Sequence, residues 1–418
     1  MKKINVFLLI LLLASCSNNS EIIVDPGNNQ NKKMYTVEGK VETIDNEKVL
    51  PFNTSMNLTT YCDEAYEMLT PIFDKEIKRL HILFDRYHVY KDEKGNKINN
   101  LKVINDSYGL NKEIKIDQDL FNVLKMSIEL SNLTEGYFNP SMGHLIDEWN
   151  KYFSPFNTKE DYNQEFNIEK ENQIVSKVNT VIPYDKLETA IELDEKDLTV
   201  KFNKVEGIES SIISLGALGK GYAVDYLRKE FSIHDTPLLI SGSGSSSYMQ
   251  GNNPHPDRDN WVVQINSPFK NELFMTKALL TSEVTPKKVL STSGDYEQLF
   301  YYKRNDEIVR RHHILDPFKG HSNDYYRSIT LYSKERSDIL DGLSTALFNI
   351  DNLDNIKKII TNVETNYNIK IDYLIQKEIN DNTLELYYND GFKNTIIKYN
   401  GNDTTVDGIT RVELWNIN

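Results

Sequence analysis

The chain has 418 residues, 62 acidic against 48 basic, a formal charge of −14 and two cysteines. This balance argues against a nucleic-acid partner, because phosphate binding needs clustered cations. Two cysteines exclude a disulfide scaffold or a Cys-rich metal site, and the length admits one large domain or two ordinary ones.

The first residues, MKKINVFLLILLLASC, carry Lys2 and Lys3 and then an apolar run, Val6–Ala14. That run is too short for a bilayer-spanning helix, which needs ~20 residues, but suits a signal-peptide core. It ends in Leu13-Ala14-Ser15-Cys16, which resembles a bacterial lipoprotein cleavage box. The alternative is an ordinary secretory signal with an incidental Cys16; the agreement of charge, core length and small residues favours lipidation of Cys16. Residues 1–15 are thus expected to be a lipoprotein signal peptide and 16–34 a flexible polar tether. The mature protein is expected outside the cytoplasm, anchored to a bacterial membrane by acyl chains on Cys16.

From residue 35 to 418 the pattern predicts a single α+β domain. A short strand pattern (YTVEGKVETI) is followed by a second around Thr54–Thr60. Leu69, Phe73, Ile77, Leu80 and Leu83 mark a helix over Ala65–Phe84, and a second helix spans Gln118–Leu133. Asn150–Lys170 reads as an irregular surface excursion, and strand signals return at Ala190–Phe202. SLGALGKGYAVDYLRKEF runs from a glycine-rich bend into a helix. LLISGSGSSSYMQG reads as strand, Gly/Ser turn, strand. Further strands are predicted at Trp261–Asn266, Val289–Ser291, Glu297–Lys303 and Arg327–Tyr332, then a helix over Asp338–Ile350. A β-rich tail (TLELYYND, NTIIKYN, RVELWNI) follows. No repeat of fixed period occurs, so the elements intermix in mostly antiparallel sheets with packed helices.

Four stretches could carry chemistry. In SDILDGLSTALFNI, Asp341 and Thr345 are one helical turn apart on one face, and a carboxylate with a hydroxyl offers the hard oxygens that Mg²⁺ prefers. A solvated Asp and a Thr bonded back to a carbonyl one turn earlier explain the spacing equally simply, and spacing alone favours that simpler account. Around Gly216, Gly219 and Gly221 the backbone could approach a phosphate, with Lys220 as a point charge; a plain strand-to-helix turn is the alternative. ISGSGSSSYMQG could cradle a polar ligand but is first a tight hairpin. In RRHHILDPFKG, His312 and His313 point to opposite faces of a strand, so at most one can face a given site.

Taken together and in this order, these stretches resemble the ApbE-type FAD:protein FMN transferases over Pro51–Asp351. NTSMNLTTY is similar to the family's opening strand, and LFDRY to its Ser-Arg-Tyr segment with Asp85 in place of Ser. LTEGYFNPSMGHLIDEW resembles T-x-G-x-F-D-P-T-x-G-x-L-x-x-x-W, and SLGALGKGYAVD resembles D-L-G-G-x-A-K-G-Y-A-x-D. STSGDYE contains T-S-G-D-Y-E unchanged. HHILDPFKG is close to H-H-I-I-D-P-x-T-G, and DGLSTALF resembles D-A-L-A-T-A-L. Seven motifs in order are far more specific than any one of them.

The resemblance implies Mg²⁺-dependent transfer of the FMN half of FAD onto a Thr or Ser hydroxyl of an extracytoplasmic redox protein, releasing AMP. It implies a metal on Asp341, Thr345 and a backbone carbonyl near Ala217. It implies FAD contacts from Tyr87, the Asn139-Pro140-Ser141 turn, Ser214, Lys220, Thr292 and the strand His313–Leu315. It favours His313 as the imidazole turned toward the flavin phosphate and, with Asp341, as the catalytic candidate, and it leaves His312 a structural role. The chain departs from the family pattern at Ser214 (Asp), Ala217 (Gly), Gly219 (Ala), Asn139 (Asp) and Ser141 (Thr). It also departs at Ser245 and Ser246, where the family has Gly and an acid or amide. Two alternatives use the same residues: a metal-dependent FAD pyrophosphatase with water as acceptor, and a non-enzymatic flavin-binding lipoprotein.

Overall fold

A computed structural model of the chain describes residues 34–42, 48–255, 258–270, 275–406 and 408–414. The expected signal peptide, Cys16 and most of the tether lie outside them. Ten strands form the central sheet: β1 (Tyr35–Glu38), β2 (Met56–Thr60), β3 (Leu238–Gly242), β4 (Ser246–Gln250), β5 (Lys288–Gly294), β6 (Ser328–Ser333), β7 (Asp372–Asn380), β8 (Thr383–Tyr388), β9 (Gly401–Val406) and β10 (Ile409–Leu414). Their spatial order is β1-β2-β3-β4-β5-β6-β7-β8-β10-β9, and every neighbouring pair is antiparallel.

The middle of this sheet is buried on both faces, because alternate side chains enter two different cores. Ile240, Tyr248, Val289, Ile329, Leu331 and Ile375 join a large core with the helices. Leu239, Met249, Leu290, Tyr332 and Leu374 enter a second core. That core is closed by a three-stranded sheet of Trp261–Lys270, Thr276–Val284 and Ile396–Tyr399. The architecture is therefore helices, a central sheet and a smaller sheet in layers, as the α+β reading expected.

Five longer helices cover the first face: α1 (Asp63–Phe84), α2 (Gln118–Leu133), α3 (Gly219–Phe231), α4 (Ser337–Leu347) and α5 (Leu353–Tyr367). Leu69, Phe73, Ile77 and Leu80 are fully buried along α1. That apolar stripe carries the helix through Pro71, whose missing N–H removes one helical hydrogen bond. On α5, Ile356, Ile359, Ile360 and Val363 are buried, and the Asn352 side chain accepts from the Asn355 N–H at its start.

Three sequence expectations are corrected. Ala190–Phe202 is not one strand but an antiparallel pair, Ile191–Asp194 and Thr199–Phe202. The strand placed at Glu297–Lys303 begins at Leu299 and pairs with Glu307–His312; His313 thus lies just past the strand end. The Asn150–Lys170 stretch is irregular over most of its length but is no mere surface excursion. Phe166 is buried and packs edge-on to Phe300 and Tyr302, with centroids 4.9 and 4.8 Å away. Trp149 completes this third core and donates from Nε1 to the Gly320 carbonyl at 2.8 Å, tying it to the Asp316–Gly320 turn.

Candidate active site

A cleft of about 320 Å³ opens where one end of β3, β4 and β5 meets the N-terminus of α3 and the middle of α4. This is the size range of small-molecule sites. Asn139, Ser214, Ala217, Lys220, Thr292, His313, Leu315, Asp341 and Thr345 all line it. These residues come from five separate sequence stretches, so the fold has gathered them. Tyr87, Pro140 and Ser141 are not on the wall. The Tyr87 hydroxyl donates to Asp147 Oδ1 at 3.0 Å, and the Arg86 guanidinium lies 4.4 Å over its ring. Ser141 is buried and builds the turn instead: its Oγ donates to Asn139 Oδ1 at 2.7 Å and accepts from the Ile182 N–H at 2.8 Å. The Pro140 carbonyl accepts from the Ser214 N–H at 2.7 Å, which fixes Ser214 at the wall.

The acidic centre follows from a helix that cannot cap itself. Leu218, the residue before α3, has no side-chain acceptor to offer, so the first-turn N–H groups need one from elsewhere. Asp341 on α4 supplies it: the Gly221 N–H donates to Asp341 Oδ2 at 2.9 Å. The approach is possible only because residue 221 is glycine, as a Cβ there would stand 2.3 Å from the Ser337 carbonyl oxygen. Lys220 Nζ is 3.7 Å from the same Oδ2 and donates to the Gly216 carbonyl at 3.1 Å. Burial raises the Asp341 pKa, and Lys220 opposes that rise.

Thr345 donates to the Asp341 carbonyl at 3.3 Å, the back-bond that the simpler sequence reading described. Its oxygen still has lone pairs for a cation. Across the cleft Ser293 Oγ lies 2.7 Å from Ser344 Oγ and 3.4 Å from Thr345 Oγ1. Among the described residues no three His, Cys, Asp or Glu side chains converge as a metal cluster. A cation at this cleft would instead use one carboxylate, a hydroxyl and main-chain carbonyls. Those are hard oxygen donors suited to Mg²⁺, and the buried, incompletely neutralised Asp341 fits that role.

The two histidines divide as their geometry requires. His312 is fully buried; its Nε2 donates to the Asn323 carbonyl at 2.8 Å and its Nδ1 accepts from the Ile314 N–H at 3.3 Å. Both nitrogens are engaged, and burial pushes its pKa down to about 4. His313 Nδ1 lies 3.3 Å from the Gln298 carbonyl, toward which it can only donate, so the neutral ring keeps Nε2 as an open acceptor. Its ring is solvent-accessible at the cleft wall yet crowded by protein. That desolvation, with help from Lys220, pushes its pKa down to about 4 despite the Gln298 hydrogen bond. At neutral pH His313 is therefore an uncharged base.

Several wall residues escaped the sequence reading. Phe52 and Asn53 both adopt positive φ, 55° and 56°, held by the Phe52 N–H donating to His81 Nδ1 at 3.0 Å; Pro51 and Asn53 are turn formers, but the pinning by His81 has no local signal. Glu297 and Gln298 also line the cleft, and burial raises the Glu297 pKa against the pull of Lys270. The Ser243-Gly244 reversal, with φ of 48° and 70°, closes the β3–β4 hairpin and puts Ser243 and Ser245 on the wall, in the Gly/Ser stretch that the sequence did offer as a polar cradle.

A layered fold whose cleft sets a buried carboxylate, a lysine and a neutral imidazole together is suited to an anionic ligand beside a base. Solved structures share the architecture. The ApbE protein of Thermotoga maritima matches with a TM-score of 0.61 at 21% identity, covering 88% of this chain and 100% of that one. The flavin transferase ApbE of Vibrio cholerae matches with a TM-score of 0.59 at 19% identity, covering 87% and 99%. The ApbE family model matches residues 52–369, and the chain belongs to that family. Among curated relatives, the FAD:protein FMN transferase of Rhodobacter capsulatus is 23% identical over 59% of this chain and 41% of its own length. That of Haemophilus influenzae is 21% identical over 60% and 66%. The chain spans less than two thirds of the length of these relatives.

Proposed function

We propose that the protein transfers the FMN half of FAD to a Thr or Ser hydroxyl of a protein acceptor and releases AMP. The observation that carries this reading is the convergence of Lys220, Asp341, Thr345 and His313 on one cleft, in a chain of the ApbE family. The names of the curated relatives support FAD as the donor and a protein as the acceptor.

The acceptor oxygen attacks the phosphorus of the FMN half, the bond from that phosphorus to the bridging oxygen breaks, and that oxygen departs with AMP. His313 takes the hydroxyl proton at Nε2, a role suited to a ring that is neutral at the working pH. Lys220 faces the diphosphate as a point charge, while Ser214 and Thr292 orient it. Mg²⁺ held by Asp341, Thr345 and the Ala217 carbonyl would supply neutralisation of the charge that builds as AMP leaves.

The proposal includes an extracytoplasmic place for the protein, anchored by lipid on Cys16, with a redox protein as acceptor. The charge, apolar core and small-residue run of MKKINVFLLILLLASC support it. Among the described residues no helix is long and apolar enough to cross a membrane. Shift of a Cys16→Ser variant from the membrane to the soluble fraction checks the anchor.

The activity is tested by incubating the mature chain with FAD, Mg²⁺ and a candidate acceptor. Flavin fluorescence that stays on the acceptor after denaturation, with one AMP per label, is the expected result. FMN and AMP without label would replace transfer by hydrolysis, and intact FAD would replace it by storage.

A further inference from the structure

We propose that Lys220 is a stand-in cation for Asp341, displaced when a divalent ion binds and thereby delivered to the diphosphate, so that metal and nucleotide binding reinforce each other. This inference rests on the flavin-transfer reading and deepens it by coupling two of its ligands.

Asp341 is 4% exposed, and a carboxylate so buried is tolerated only with compensating charge and hydrogen bonds. Its partners are the Gly221 N–H at 2.9 Å, the Ser246 hydroxyl and a single cation, Lys220 Nζ at 3.7 Å. The same ammonium donates to the Gly216 carbonyl at 3.1 Å. Lys220 therefore bridges a carboxylate on α4 and a carbonyl of the glycine bend. Those are the two kinds of oxygen, one residue removed along the bend, on which the divalent ion is proposed to sit.

An ammonium and a divalent cation repel, so they cannot share Asp341 on equal terms. The lysine is the partner that can move. Its flexible four-carbon stem rises from the second residue of α3, and its side chain is 18% exposed at the cleft wall. Once displaced, its ammonium points into a cleft whose incoming ligand carries a diphosphate. Metal binding thus frees a charge for the nucleotide, and the nucleotide stabilises the displaced lysine, which favours the metal in return.

Two measurements on the mature protein test this. In the first, Lys220 acetylation by acetic anhydride is followed by mass spectrometry. Mg²⁺ alone is expected to raise the Lys220 rate severalfold, and Mg²⁺ with ADP, used as the diphosphate probe, to lower it again. In the second, calorimetry of Mg²⁺ binding without nucleotide should show Lys220→Met tighter than wild type by about 5–150-fold, the usual range of coupling between sites, with Lys220→Arg near wild type. Lys220 acetylation indifferent to Mg²⁺, or a Lys220→Met protein that binds Mg²⁺ no better than wild type, overturns the proposal. Should Lys220→Met not fold, the wild-type acetylation experiment decides alone. Failure here with intact flavin transfer removes only the coupling, whereas a protein that binds Mg²⁺ as described but never FAD removes the flavin-transfer reading.

Discussion

Gly221 is the position at which a single methyl group should unmake the site. A Cβ there would lie 2.3 Å from the Ser337 carbonyl oxygen and 2.6 Å from Asp341 Cβ. Neither obstacle is a rotatable side-chain end, so α3 and α4 must separate. Overpacking of this kind costs about 1–3 kcal/mol. Loss of the hydrogen bond from Gly221 to the charged Asp341 costs about 1.5–3 kcal/mol, and the better helix propensity of Ala returns ~1 kcal/mol. Gly221→Ala should therefore destabilise the protein by about 1.5–5 kcal/mol, read as a lower urea midpoint by far-ultraviolet circular dichroism. The control is Gly216→Ala in the same bend, where the new Cβ meets only Ser214 Oγ at 3.7 Å and the change should stay within ~0.5 kcal/mol. Equal stability of the two variants would refute the claim that close helix contact, rather than general loop sensitivity, makes residue 221 glycine.

Three further outcomes follow from the geometry. His313→Ala should lower the flavin-transfer rate by ~10²–10⁴ without a matching loss of stability, and the acid limb of the wild-type rate profile should lie near pH 4. His312 stays neutral in the fold down to about pH 4, whereas an unfolded histidine protonates near pH 6.5. Between those values the unfolded state binds the extra proton, so stability falls as pH drops through the window, by about 3 kcal/mol for this group; His312→Gln should flatten that part of the urea-midpoint profile. Asp295 is fully buried between Arg327, at 2.6 Å, and Arg310, at 3.0 Å, and Asp295→Ala should cost about 3 kcal/mol in denaturant unfolding, the low end for a broken buried pair, because Arg327 keeps Glu378 and Arg310 keeps Asp324.

The parts of this protein that were legible in its sequence are those whose signal is local. The α1 stripe, the β3–β4 hairpin and the helix carrying Asp341 could be read from apolar spacing and glycine placement. The α5 stripe of Ile356, Ile359, Ile360 and Val363 was equally local but lay beyond the motifs and went unread. Cleft residues from the glycine bend, the His313 stretch and α4 were legible because the family pattern names them. What escaped was set by partners distant in sequence. Phe52 and Asn53 reach the wall through a strained turn pinned by His81. Asp295, inside an unchanged motif, holds two arginines distant in sequence or strand. Tyr87 carries a motif match, but its hydroxyl is taken by Asp147. A motif records which residue is present, and only the fold decides where its polar atoms are satisfied.

Charge gives a reason for one of the departures from the family pattern. On the proposed function a diphosphate enters a chain of net charge −14, whose long-range potential repels it. Inside the cleft Lys220 opposes Asp341 and Lys270 opposes Glu297, yet burial still raises the pKa of both acids; the walls resist further negative charge. Ser214 lines that cleft where the family pattern has an acid. A hydroxyl there can orient a phosphate without repelling it. Ser214→Asp should thus weaken binding of ADP in the absence of metal by about fivefold at low salt, on the scale of ~1 kcal/mol for two unit charges a few ångströms apart in water. Raising the ionic strength should close most of the gap, because the cleft is open to screening ions. Calorimetry at two salt concentrations measures both effects. Tighter ADP binding by the aspartate variant would mean that the serine was placed for hydrogen bonding alone and that the charge argument is wrong.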